Sequence, residues 1–169
     1  MSPSDRAALQ LHLLRHADAG DPGAWSGDDA DRPLSAKGIG QSERLGAFLA
    51  GIGFAPDAIL TSPKVRARET AEIVATALGV TVRLEDRLAE GFDAETVDAI
   101  LADAGSPSRP VLVGHDPDFS ELLGYLAGTD ALTMKKGAFA RLDVRGRIAG
   151  GDGTLRWLVP PDLLDADRR

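Results

Sequence analysis

Short apolar runs of strand length alternate along the chain with longer segments whose apolar residues recur every three or four positions. Leu9 to Leu14 is the first run, and it leads directly into Arg15-His16. A run of that length between polar segments reads as a β-strand. The polar stretch from Ala17 to Pro33, rich in Asp and Gly, reads as a loop. Ser35 can cap a helix whose apolar residues Ile39, Leu45, Phe48, Leu49 and Ile52 fall mostly on one face, ending near Gly53.

A second strand is predicted at Ala58 to Ser62, followed by a helix from Val65 to Leu78 that Gly79 stops. Val80 to Leu84 is a third strand, Glu90-Gly91 lies in the next loop, and Ala94 to Ala104 is a short helix. Pro110 to Gly114 is apolar throughout, so it is expected at the centre of the sheet, covered on both faces, and it delivers His115. A helix from Phe119 to Ala127 follows. "AFARLDV", "RGRI" and "LRWLV" read as two antiparallel strands around an Arg-Gly turn. This order predicts a three-layer α/β/α sandwich on a mostly parallel sheet with an antiparallel C-terminal edge.

Composition narrows the picture. The 169 residues are read as one domain, with residues 1–8 and 162–169 as tails. Apolar residues make up 43% and charged residues 27%, ordinary for a globular chain. The net charge of -7 argues against a nucleic-acid grip. The absence of cysteine removes disulfides, thiolate metal sites and cysteine nucleophiles. No signal peptide or membrane span is recognisable, so a cytoplasmic monomer is expected.

Ligands of such sheets bind beyond the carboxyl ends of the strands. One strand ends in Arg15-His16, another in Ser62-Pro63 with Arg66 one helical turn later, and another in His115. The chain has only three histidines, and two of them follow strand ends. Two arginines present forks of donors that suit phosphate oxygens. A neutral imidazole can attack phosphorus, and a second can stabilise the oxygens in flight. The arginines supply the positive charge a metal ion would, so neither metal nor cofactor is expected. They also disfavour protonation of His16, whose other ring nitrogen would donate to a backbone carbonyl. His12, between Leu11 and Leu13, reads as structural. The acidic loop "SGDDADR" lacks calcium-loop spacing and reads as solvated surface.

"LLRHADAG", "RPLSAKGIGQSERLGAFL", "ILTSPKVRARETAEIV" and "VLVGHDPDFSELLGYLAG" occur in this order, and together they resemble the histidine phosphatase superfamily, which includes phosphoglycerate mutases. Short length, "RHAD" and the C-terminal "KKGAFARLDV…LRWLVPPDLL" are most similar to the SixA-type phosphohistidine phosphatases. The resemblance implies that His16 is transiently phosphorylated and that Arg15, Arg66 and His115 bind the phosphoryl group. Leu88-Ala89-Glu90 matches the Leu-x-Glu segment that supplies the acid in the mutase branch. Asp116, next to His115, is a rival donor, set against a role in capping the following helix. Ser62 either donates to phosphate or serves the turn before Pro63. Ala17 stands where a glycine commonly follows Arg-His, and Pro22 where many members carry a phosphate-holding Asn.

The stretch between Glu90 and His115 is consumed by a helix and a strand, leaving no material for a lid. An open site suits phosphohistidine on a protein surface, and the labile P–N bond needs less help from an acid than an ester does. The expected activity is removal of phosphate from signalling or phosphocarrier proteins. The alternatives are a small-molecule or sugar-phosphate phosphomonoesterase, and a non-catalytic phosphate-binding scaffold.

Overall fold

The computed structural model describes residues 8–166. The remainder of the expected tails lies outside the described residues.

Six strands form one sheet: β1 Leu9–Arg15, β2 Ala58–Thr61, β3 Val82–Leu84, β4 Pro110–Gly114, β5 Phe139–Val144 and β6 Gly153–Val159. Their spatial order is β3-β2-β4-β1-β5-β6. The first four are parallel neighbours, and β5 and β6 add antiparallel at the β1 edge. The α/β sandwich with an antiparallel C-terminal edge is therefore present. β4 lies between β1 and β2 and is buried along its whole length, as its uninterrupted apolar sequence requires.

Four helices cover the sheet: α1 Ala36–Gly51, α2 Val65–Leu78, α3 Ala94–Asp103 and α4 Asp118–Ala127. Successive strand residues face opposite sides, so the sheet feeds two cores. Leu11, Leu13, Leu60 and Leu112 pack with Val97 and Ile100 of α3 and with Phe119 and Leu123 of α4. Leu14, Ile59, Val111 and Val113 pack on the other side with Leu45 and Leu49 of α1 and with Ala71 and Val74 of α2. Full burial of a side chain such as Phe119 contributes roughly 1.5–3 kcal/mol.

The inner face of α1 differs from the expected stripe. Ile39, Phe48 and Ile52 are exposed, and the buried positions are Gly38, Ser42, Leu45, Gly46 and Leu49. These follow helical spacing, but three of them are small, because α1 lies close to its neighbours. A Cβ at Gly46 would come within 2.8 Å of Ala77 Cβ on α2, and one at Gly38 would strike the carbonyl oxygen of Asp18. Of the expected stripe, Leu45 and Leu49 do face inward, and Ile39, Phe48 and Ile52 do not.

β3 is shorter than expected, an edge strand of three residues. "RGRI" is loop, and the β5–β6 connection spans residues 145–152. The segment expected to be a tail continues as a 3-10 turn, Pro161–Leu164, with Pro161 buried. Among the described residues, no helix is long and apolar enough to cross a membrane.

Candidate active site

Strand register brings the site together. Arg15 pairs with Gly114 and Thr61 with Val113, so β1, β2 and β4 end level. The ladder then runs one residue further: the His16 amide donates to Gly114 O at 2.9 Å, and the Ser62 amide to Val113 O at 2.9 Å. His16, Ser62 and His115 consequently leave the sheet side by side, with Arg66 in the first turn of α2 beside them.

The His16 and His115 rings lie 5.1 Å apart between centroids. His16 Nδ1 donates to Ala17 O at 2.8 Å, which leaves Nε2 with its lone pair. Burial, then the charges of Arg66, Arg15 and Lys136, push His16 down to about 4, against the bond to Ala17 O. The expected depression by the arginines is present, but burial is the larger cause. His115 is pushed down to about 3, again by burial first and then by His16 and Arg66. Its Nε2 shares a 2.7 Å hydrogen bond with Ser62 Oγ, which also accepts from the Lys64 amide at 3.3 Å. Ser62 thus serves the turn and steadies His115.

Each arginine is held by an aspartate. Arg15 Nη1 donates to Met134 O at 2.6 Å and lies 3.2 Å from Asp116 Oδ2. Asp116 also accepts from the Ser120 amide at 3.0 Å and from Ser120 Oγ at 2.6 Å. The capping reading of Asp116 is close: the N-cap position is Pro117, and Asp116 satisfies an amide of the first turn from one residue earlier. Its oxygens are thereby committed to Ser120 and Arg15.

Arg66 Nη1 donates to Asp29 O at 2.8 Å, and Nη2 lies 3.1 Å from Asp29 Oδ2. Asp29 belongs to the acidic loop that was expected to be mere solvated surface, and this contact corrects that reading. Asp28 caps the 3-10 turn Asp29–Asp31, which aims Asp29 at Arg66. Arg32 is buried, binding Ala19 O at 2.7 Å and Asp29 Oδ1 at 3.1 Å. Neither Asp29 nor Arg32 was singled out from the sequence. The only available signal was Arg32 opening the "RPLSAKG" motif.

That motif and Thr70 have local explanations. Ser35 caps α1 by accepting from Gly38 N at 3.1 Å, and it donates to Asp18 Oδ2 at 2.6 Å. Gly38 lets α1 approach the Asp18 carbonyl. Thr70 Oγ1 accepts from the Ala17 amide at 3.1 Å and donates to Arg66 O at 2.8 Å, linking the His16 loop to α2. Ala17 is fully buried, so its methyl group is accommodated.

Glu90 stands apart. It is exposed, on the loop after the buried Leu88, and the Gly91 amide ties that loop to Asp118 Oδ2 at 3.0 Å. It therefore lies beside the turn that carries His115 and Asp116, without a polar contact to either. His12 is structural as expected: its Nδ1 donates to Pro110 O at 2.9 Å and its ring packs on Phe54 and Phe139. Among the described residues, no group of three or more His, Asp or Glu side chains is placed to hold a metal ion.

The arrangement sets two neutral imidazoles beside two braced guanidiniums at the carboxyl edge of the sheet. Comparison with known proteins agrees with it. The sequence profile of the histidine phosphatase superfamily (branch 1) matches residues 11–109. An uncharacterised protein of Picosynechococcus sp. is 37% identical over 119 residues, 67% of this chain and 70% of that one. The 8-oxo-(d)GTP phosphatase of Mycolicibacterium smegmatis is 33% identical over 160 residues, 89% of this chain and 48% of that protein. Among solved structures, the protein histidine phosphatase SixA complexed with tungstate aligns with a TM-score of 0.79 at 25% identity, over 93% of this chain and all of that one. The chain belongs to branch 1 of the histidine phosphatase superfamily, and its activity is that of a phosphatase.

Proposed function

We propose that the protein removes phosphate from phosphohistidine on other proteins, through a phosphorylated His16. The observation that carries this is His16 itself: its Nδ1 proton is held by Ala17 O, so the lone pair is on Nε2, beside His115 and within the field of two arginines.

In the first step Nε2 forms a bond to phosphorus while the bond to the leaving imidazole breaks. Arg15, Arg66 and His115 hold the phosphoryl oxygens. The leaving nitrogen takes a proton from Glu90. In the second step water, giving its proton back to Glu90, attacks phosphorus and the bond to His16 breaks. Glu90 is favoured over Asp116 because the Asp116 oxygens are engaged by Ser120 and Arg15, whereas Glu90 is exposed, on a loop that the Gly91 amide ties to Asp118. No step calls on a metal ion.

A small phosphoester is the second reading, favoured by the likeness to an 8-oxo-(d)GTP phosphatase. The test uses a histidine-phosphorylated carrier protein labelled with radioactive phosphate, in EDTA. Wild-type enzyme should release phosphate and carry an acid-labile label, and His16→Ala should do neither. Turnover of small esters without turnover of the phosphoprotein would overturn the phosphohistidine reading in favour of the second.

A further inference from the structure

Arg15 stands within the field of His16 and also lines a cavity of about 570 Å³, walled by α1, by the loop before β5 and by the 3-10 turn at Pro161–Leu164. The protein as a whole is acidic, yet this cavity gathers Lys37, Arg44, Lys135 and Lys136 around Arg15. Lys37, Gln41 and Arg44 are spaced i, i+4, i+7, so they line one face of α1. Gln41 Oε1 accepts from the Asp18 amide at 3.0 Å, which pins that face to the loop following His16.

Three carboxylates share the space: Asp18, Asp162 and Asp165. Asp18 and Asp162 face Lys136 and Lys135 at 3.9 and 3.8 Å, the long limit of an ion pair. Such loose pairs are weak, and a lysine ammonium can turn from one to a better anion. Lys37 and Arg44 both line the cavity from α1, and the charge of Lys37 helps to hold the Asp18 carboxyl below its ordinary value. The volume is in the range of small-ligand sites and exceeds what a phosphoryl group alone requires.

We propose that this cavity is a subsite for a second anionic group of the substrate, a carboxylate or phosphate carried on the leaving group. The inference rests on the phosphatase reading of the adjoining pocket. With the phosphoryl group held by Arg15, the next part of the substrate has this cavity open to it. Lys37 and Arg44 are then residues that select substrates, contributing to recognition and not to bond breaking. Acidic side chains flanking a phosphohistidine could supply the anion, as could the second phosphate of a small bisphosphate.

Two substrate pairs test this. One is a phosphohistidine peptide with flanking glutamates against the same peptide with glutamines. The other is glucose 1,6-bisphosphate against glucose 6-phosphate. For wild-type enzyme, kcat/KM should favour the more anionic member of at least one pair, and Lys37→Gln/Arg44→Gln should reduce that preference about five-fold or more. Lys37→Glu/Arg44→Glu should reverse it, and thermal melts of both variants would check folding. The responding pair identifies the source of the anion. No preference in wild type, or a preference that the variants leave in place, would overturn the subsite. If the peptides are not turned over at all, the phosphohistidine reading fails and the ester pair alone decides the subsite.

Discussion

Asp29 holds Arg66 with both its backbone and its side chain: the carbonyl oxygen accepts from Nη1 at 2.8 Å, and Oδ2 stands 3.1 Å from Nη2. The acidic loop thus occupies donors of a guanidinium that would otherwise face the phosphoryl pocket. A carboxylate there both competes for Arg66 and repels a dianion. Asp29→Ala should therefore tighten competitive inhibition by inorganic phosphate about two- to five-fold at low salt, and the difference should narrow as salt screens it. Because the Asp29 side chain is largely exposed, little stability should be lost. An inhibition constant that rises in the variant would show that Asp29 chiefly positions Arg66.

Asp116 has the corresponding place beside Arg15. Asp116→Asn keeps acceptor capacity for Ser120 but loses the charge opposite Arg15. A positioning role predicts that kcat/KM falls about ten-fold, and alike for a phosphoester and for phosphohistidine. A proton donor would be missed far more on the ester, whose alkoxide needs the proton. Glu90→Gln should show that second pattern.

The buried histidines make the fold acid-sensitive. His12 and His16 are pushed down to about 4 and His115 to about 3, each chiefly by burial. Between those values and the ordinary 6.5, the unfolded chain binds protons that the folded chain does not. Stability is then complete above about 6.5 and is lost as pH falls towards 4, at up to about 1.4 kcal/mol per pH unit for each histidine. His12→Phe removes the side-chain donor to the Pro110 carbonyl, which the β1–β4 ladder still serves, so it should cost about 1 kcal/mol at pH 7. It should also flatten the acid slope, since one titrating group is gone. Urea unfolding between pH 5 and 7.5 measures both effects.

Gly38 permits the contact between α1 and the loop after His16. Alanine, a better helix former, would drive its Cβ into the Asp18 carbonyl. Gly38→Ala should destabilise by about 1–3 kcal/mol, and it should lower activity because Asp18 lies two residues beyond His16. A variant as stable and active as wild type would show that the loop moves freely.

The mostly parallel sheet and the central place of β4 were legible because β4 is apolar throughout and each parallel strand is followed by a helix of clear period. The convergence of Arg15, His16, Arg66 and His115 was legible because they are placed by strand and helix ends, and those ends can be read locally. The inner face of α1 was legible only at Leu45 and Leu49. Close packing on α2 and on the Asp18 backbone selects Gly38, Ser42 and Gly46, and hydropathy cannot distinguish small inward residues from small exposed ones. Asp29 was hidden for a related reason, since one aspartate in an acidic loop is marked out only by the arginine it reaches.

By itself, the sequence determined the alternation of strands and helices, the centrality of β4, and the chemistry available at the strand ends, because these depend on near neighbours along the chain. Tertiary structure alone decided which groups brace that chemistry. Arg66 and Asp29 are 37 positions apart, and Arg15 meets Met134 O across 119. Such pairings depend on how loops return over the sheet edge. The same return of the chain sets Lys135 and Lys136 opposite α1, turning scattered lysines into the wall of a cavity beside His16.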